Sequence, residues 1–457
     1  MKNSILLFRT ATLLLLFTAF SVLNAQWVLC PDSLSIHDAG DYPCISVVDA
    51  NTAIVAGGVA GIPVVYRTTN GGINFTALPT NGVSLDLFSV WAKDANTIFA
   101  GDGGNPGGTT GGNAKVYKTT NGGVTWTTIL STGGGAGFIN GIVFSRTNPN
   151  FGIVQSDPPN GVGTNYWVAV TTNGGNNWTI TNPPGLTGVS SAQNSVVVVD
   201  NLFYGFGLNT GTSRVYLTTD GGTNWTVKPL GVTGGFVSGF AFSSNKTYGI
   251  AASNSSLPNI SRTVDGGASF SVLNTGPGPT GLCTMKWIPG TSTCYYSSFA
   301  PTSNCVRKSS NNGSTWTTMS VPGISGITHM EFVYTGGIVY AYVVAKQGII
   351  YKAAKLVDNI TGISSSSQVP SGYSLEQNYP NPFNPATNIS YSIPKASFVS
   401  IKIHDMLGNE LMVVVNAYKS AGRYTETVDA LDLASGIYFY TIRAGEFSDT
   451  KKMTLIR

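Results

Sequence analysis

One eight-residue pattern returns six times along this chain, and it narrows the possible folds more than any other feature. It reads Thr68-Thr-Asn-Gly-Gly-Ile-Asn-Phe75, Thr119-Thr-Asn-Gly-Gly-Val-Thr-Trp126, Thr171-Thr-Asn-Gly-Gly-Asn-Asn-Trp178 and Thr218-Thr-Asp-Gly-Gly-Thr-Asn-Trp225. Looser copies stand at Thr263-Val-Asp-Gly-Gly-Ala-Ser-Phe270 and Ser309-Ser-Asn-Asn-Gly-Ser-Thr-Trp316. The copies start 51, 52, 47, 45 and 46 residues apart. A period of that length holds four short strands and their turns, one unit of an array in which neighbours bury each other's apolar faces.

Each residue type in the pattern has a physical task. The Asn or Asp side chain accepts hydrogen bonds from backbone N–H groups ahead of it, and the glycines supply the positive φ of a tight turn. The aromatic opens the next strand and packs beneath the turn. The structural set is therefore Asn70, Gly72 and Phe75; Asn121, Gly123 and Trp126; Asn173, Gly175 and Trp178; Asp220, Gly222 and Trp225; Asp265, Gly267 and Phe270; Asn311, Gly313 and Trp316. The pattern resembles the Asp-box of sialidase-type repeats and of propellers similar to photosystem assembly factors. That resemblance marks a fold and leaves the function open.

The fold expected is all-β, a seven-bladed β-propeller followed by a small immunoglobulin-like β-sandwich. In the second unit the strands fall at Phe88–Ala92, 97–101, Lys115–Thr119 and 126–130. A seventh unit without its turn is marked by Gly348-Ile-Ile-Tyr-Lys352, and Gln26-Trp27-Val28-Leu29 reads as the strand that completes it. Such closure ties the two ends of the ring together and removes an exposed edge. The repeated turns lie on one face. The opposite face carries the loops that vary most, 102–112 and 156–164, so a binding surface is expected there, around the channel. Tyr166 and Trp167 are its candidate exposed aromatics, although Trp167 sits in a strand before a repeated turn, a place that suits the core equally well.

Charged residues make up 10% of the chain and 56 of 457 residues are glycine, where about 25% and 7% are usual. The formal charge of +4 includes no Lys/Arg run, which argues against a nucleic-acid partner. Lys2 and Arg9, the apolar run 11–20 and Ala25 compose a secretory signal peptide over residues 1–25. No later segment is apolar and long enough to span a bilayer, so no transmembrane segment is expected in the mature chain. Cys30, Cys44, Cys283, Cys294 and Cys305 match no metal or haem spacing, and neither a metal nor a cofactor is expected. The last three fall on successive strands of one unit, where one pair could bridge.

After a propeller spanning 26–356, residues 357–372 turn to Ser, Asn, Gly and Pro and read as a linker. From 373 to 457 the strands lengthen and Lys and Glu return. Tyr379-Pro-Asn-Pro-Phe-Asn-Pro-Ala-Thr387, His404-Asp-Met-Leu-Gly408, Ala421-Gly-Arg-Tyr424, Leu433-Ala-Ser-Gly-Ile-Tyr-Phe-Tyr440 and Lys451-Lys-Met-Thr-Leu-Ile-Arg457 resemble the type A sorting domain of the type IX secretion system. That resemblance implies the secretion machinery as partner for 373–457. It also implies export to the outer-membrane surface or the medium of a Gram-negative bacterium.

Chemistry is harder to find. A sialidase-like site needs converging arginines. Yet of Arg67, Arg146, Arg214, Arg262 and Arg307, four lie in or beside strands that precede a repeated turn. Glu331 is the single glutamate of the propeller. A two-aspartate glycosidase needs carboxyls on both sides of the scissile bond. Asp102 and Asp157 are the candidates, both following a second strand on the variable face, against their ordinary use as turn caps. The reading favoured is a recognition or adhesion module for an extracellular glycan or protein; the alternative is a secreted glycoside hydrolase.

Overall fold

Every regular element of the computed structural model is a β-strand. It describes residues 26–456 except 32–33, 36–42, 60, 106–111, 147, 162–164, 182, 184–188, 190–191, 210–211, 234, 255–259, 274–282, 299–304, 348–349, 361–371, 396, 420–421 and 431–432. The leader 1–25 and most of the linker lie outside the described residues, as do parts of both variable loops.

As far as Asn359 the strands form antiparallel sheets that follow one another along the chain. The second sheet runs Leu87–Ala92, Ile98–Asp102, Lys115–Thr119 and Thr127–Ser131, paired in that order. The same order recurs in sheets opening at Cys44–Val47, Ile139–Phe144, Val196–Val198, Val237–Phe242 and Cys283–Trp287. A closing sheet contains Ile327–Thr335, Ile338–Gln347 and Ile350–Asn359. Its outer strand, Gln26–Leu29, comes from the other end of the chain, with Gln26 opposite Val357 and Leu29 opposite Ala354. First strands of successive sheets pack together, and that of the closing sheet packs on Cys44–Val47, so the succession returns on itself in a propeller-like ring.

Composition explains the order within each sheet. First and second strands, such as Val237–Phe242 and Gly249–Ser253, are buried along their whole length. Strands covered on both faces need continuous small and apolar residues, which these supply. Fourth strands such as Thr127–Ser131 and Thr179–Thr181 are Thr-rich and mostly exposed, as suits a wet outer edge. The N-terminal segment fastens both sides of the closing sheet. Trp27 joins a core with Val306, Ile327 and Leu356, while Cys30 and Leu34 join one with Ile45 and Val55. Each such large apolar side chain contributes about 2 kcal/mol.

In the C-terminal region two sheets share one core. Ser374–Leu375, Ala386–Ile393 and Gly422–Asp429 form the first. Glu410–Lys419, Ser397–His404, Gly436–Ala444 and Phe447–Leu455 form the second. Alternation sets the facing: Val399, Ile401 and Ile403 are buried against Ile389, Tyr391 and Tyr440, while Phe398, Lys402 and His404 point outward. Among the described residues no helix is long and apolar enough to cross a membrane.

Candidate functional site

The six repeated turns share one hydrogen-bond pattern. The hydroxyl that ends each third strand, on Thr68, Thr119, Thr171, Thr218, Thr263 or Ser309, accepts the N–H of the second glycine at 2.8–3.0 Å. The same hydroxyl donates to Oδ1 of the Asn or Asp. That oxygen in turn accepts the N–H of the residue before the aromatic at 2.8–3.2 Å. The hydroxyl is the partner that sequence reasoning missed, although it opens every copy. The Asn224 N–H holds the Asp220 carboxylate below its usual range, and the Ser269 hydroxyl does so for Asp265.

Two further contacts fix each turn in the ring. The N–H that follows the Asn or Asp donates to a carbonyl of the first-to-second-strand turn of its own sheet, Gly122 to Asn96 and Gly174 to Asn150 for example. In five of the six turns the second glycine presses on the preceding sheet: a Cβ on Gly175 would stand 2.5 Å from Phe99, and one on Gly313 2.8 Å from Ile250; Gly222 instead faces Tyr204 of its own sheet. A third stitch runs the other way. Where a cation precedes the hydroxyl, as in four of the six copies, it reaches the next sheet: Arg67 to the Ala95 carbonyl at 3.0 Å, Lys118 to Gly175 at 3.3 Å and Arg262 to Asn312 at 2.6 Å. Lys308 pairs with Asp358 at 2.6 Å. The arginines therefore diverge around the ring. Arg214 bonds the Thr212 hydroxyl and Arg307 lies over Tyr296, so no carboxylate-binding cluster forms from these five.

The candidate catalytic and binding residues occupy different surroundings from those expected of an open site. Asp102 ends the second strand with no exposed surface. Its Oδ1 accepts the N–H of Gly104 at 3.0 Å and of Lys115 at 2.8 Å, and Oδ2 accepts the Tyr117 hydroxyl at 2.7 Å. Burial raises its pKa and pushes Tyr117 up to about 12. Both oxygens nonetheless staple second to third strand, and neither meets solvent. Asp157 accepts the Asn140 amide at 2.8 Å. Tyr166 and Trp167, expected among exposed aromatics, are instead 0% and 4% exposed. Tyr166 donates to Gln155 and packs on Phe206, and Trp167 sits in a core with Phe99 and Phe144. Trp167 opens a third strand with Tyr166 just before it, and third strands lie between two covered faces. Asp49, Asp94 and Asp200 each accept two backbone N–H groups as turn caps.

Cys44 and Cys294 are free, buried thiols, and Cys30 is buried as well. Burial pushes the Cys44 and Cys294 thiols up, away from the reactive thiolate. The side chains of Cys283 and Cys305 lie outside the described residues.

In the C-terminal domain the first quoted motif is held by a buried network. The Asn378 N–H donates to the Tyr440 hydroxyl at 2.7 Å, and that hydroxyl donates to the Glu376 carbonyl at 2.7 Å. The Asn378 amide donates to Thr387 Oγ1 at 3.0 Å. Outside, a groove of about 750 Å³ is lined by Phe398, Lys402, His404, Glu410, Phe439 and Arg443. At the adjoining hairpin tip, Asp405 caps the turn and leaves Met406 70% and Leu407 88% exposed.

Residues 377–456 match the family described as the secretion system C-terminal sorting domain. A type IX sorting tail of this kind marks its chain for export to the cell surface or the medium. No curated protein matches the chain by sequence. Among solved structures it is similar to an ancestral GH74 enzyme, at 15% identity over 94% of this chain and 63% of that one, with a TM-score of 0.51. It is also similar to YCF48 bound to D1 peptide, at 13% identity over 73% of this chain and 97% of that one, TM-score 0.48. A third is PorZ, a bacterial surface component of the type-IX secretion system of Porphyromonas gingivalis, at 14% identity over 92% and 60%, TM-score 0.45. The chain spans about three fifths of the GH74 enzyme and of PorZ. Identities this low speak to fold alone.

Proposed function

We propose that this is an exported recognition or adhesion module: a seven-bladed β-propeller of Asp-box repeats over 26–356, carried to the cell surface or the medium by an immunoglobulin-like sorting domain over 373–457. Residues 1–25 serve as its signal peptide, and the linker expected from 357 begins only after the last ring strand, which runs to Asn359. The ring offers its loop face to an extracellular glycan or protein, and the sorting domain offers its outer groove and hairpin tip to the secretion machinery. The observation that carries the non-catalytic reading is the state of Asp102. A catalytic carboxyl must reach substrate, and this one is enclosed with both oxygens engaged. The repeated-turn face is taken up by stitches between sheets, which leaves recognition to the loops opposite.

The test is a glycan-array screen of the full chain with reducing-sugar release read from the same incubations. Binding without release is expected. Release abolished by Asp102→Asn or Asp157→Asn would overturn this reading in favour of a glycoside hydrolase.

A further inference from the structure

The ring is held across its axis as well as around its circumference. Arg146 follows the first strand of the third sheet, and Glu331 lies in the first strand of the closing sheet. These strands are not neighbours. Ile139–Phe144 packs on Leu87–Ala92 and Val196–Val198, whereas Ile327–Thr335 packs on Cys283–Trp287 and Cys44–Val47. Yet Arg146 Nη2 is ion-paired with Glu331 Oε1, and its guanidinium lies 4.2 Å from the centroid of the Phe332 ring. A contact between non-neighbouring inner strands of a closed ring has to cross its axis. Lys286, from the first strand of the sixth sheet, holds Oε2 of the same glutamate at 2.7 Å. Three sheets thus meet on one carboxylate that is 14% exposed.

A second contact of this kind stands at the other face, where the first strands begin. Gln193, just before Val196–Val198, donates through Nε2 to the carbonyl of Phe88 in the second sheet. It passes over the third sheet, whose Asn140 carbonyl accepts the neighbouring Asn194 N–H at 2.7 Å.

We propose that Arg146–Glu331–Lys286 and Gln193–Phe88 are cross-axis braces, which make the ring one cooperative body instead of a circle of sheets joined only to their neighbours. A braced ring keeps the loop face in one geometry for recognition. Charge is scarce in this chain, so its placement here is informative. The single glutamate between residues 26 and 356 stands where two cations from different sheets converge.

All eight tryptophans lie between residues 27 and 316, so tryptophan fluorescence of the full chain follows the ring alone. The experiment is urea unfolding of Arg146→Met, Glu331→Gln and the double variant. A coupling of about fivefold or more in the unfolding constant is expected between the two sites. Additive effects would remove the brace. Should Glu331→Gln fail to fold, hydrogen exchange in Arg146→Met and Gln193→Ala decides the matter. Arg146→Met should speed exchange in both Ile139–Phe144 and Ile327–Thr335, and Gln193→Ala in both Leu87–Ala92 and Val196–Val198. Acceleration confined to the substituted sheet would overturn the proposal.

Discussion

The ring carries all eight tryptophans of the chain and a single glutamate, while residues 373–457 carry no tryptophan and four glutamates. The difference follows from how each region is closed. In the ring six of the seven sheets repeat one turn whose hydroxyl, amide or carboxylate, and glycines are consumed locally, and a large aromatic fills the space beneath. The C-terminal domain has longer strands and one undivided core, with its charges on the surface in pairs such as Lys402–Glu410 and Lys419–Glu426. Ring order comes from many small equivalent fixtures; sandwich order comes from a few unrepeated ones. Damage should therefore act differently in the two.

Glycine gives the sharpest contrast and the largest effect. Gly175 has φ +77 and a Cβ there would stand 2.5 Å from the fully buried Phe99, whereas Gly408 has φ +86 with nothing within 4 Å. Gly175→Ala adds overpacking to the left-handed backbone cost, about 3 kcal/mol together. Gly408→Ala should cost about 1 kcal/mol. Urea titrations, read by fluorescence for the ring and by far-UV dichroism for the rest, would compare them. Equal losses would show that these turns do not wedge the sheets together.

Acid should separate the regions next. His329 Nδ1 accepts the Ile45 N–H at 3.0 Å, so the folded ring needs a neutral imidazole, and burial holds its pKa near 3. The unfolded chain takes up a proton at about 6.5 that the folded ring refuses, so stability present above pH 6.5 is lost as pH falls toward 3. Burial raises the Glu331 pKa, but Lys286 and Arg146 outweigh it and hold it at about 2. Its share is present above pH 4.5 and disappears as pH falls through 2. Both act in one direction, and a loss on the order of a few kcal/mol is expected by pH 4. The C-terminal core contains no histidine. If His329→Gln left the pH 4–6.5 slope of ring stability unchanged, the buried acceptor would not be its source.

Tyr440→Phe is the corresponding probe of the sandwich. It removes one hydroxyl that both accepts the Asn378 N–H and donates to the Glu376 carbonyl. Leaving those buried groups unpaired should cost about 2 kcal/mol. Ring fluorescence should unfold at an unchanged urea concentration; a parallel shift would mean that the two regions unfold as one.

How much of this could be read from sequence also differs between them. The turns were legible because Asn, Gly and an aromatic at fixed offsets act locally, and the sorting domain because several motifs recur in order. The stitch from Arg67, Lys118 and Arg262 shows in sequence only as a cation before four of the six hydroxyls, and its acceptors are backbone carbonyls, which leave no residue signature. For Trp167 the strand before a repeated turn already allowed a core place beside the exposed one, and the structure takes the core place; Tyr166, just before that strand, is buried with it. Arg146 and Glu331 are 185 residues apart, and nothing local announces their pairing.

The smallest effect tests whether charge in the sandwich is structural at all. Lys402 and Glu410 pair at 2.8 Å with side chains 38% and 45% exposed, so water screens the attraction and competes for both groups. Lys402→Met should change stability by less than about 0.5 kcal/mol. Lys308 is different: it is 19% exposed and faces Asp358, whose side chain is 3% exposed and also accepts the Tyr295 hydroxyl. Removing that cation leaves a carboxylate enclosed without its counter-charge, and should cost several times more. If the two lysines proved equally dispensable, the stitches between sheets would be incidental, and ring order would have to rest on the turns and the core alone.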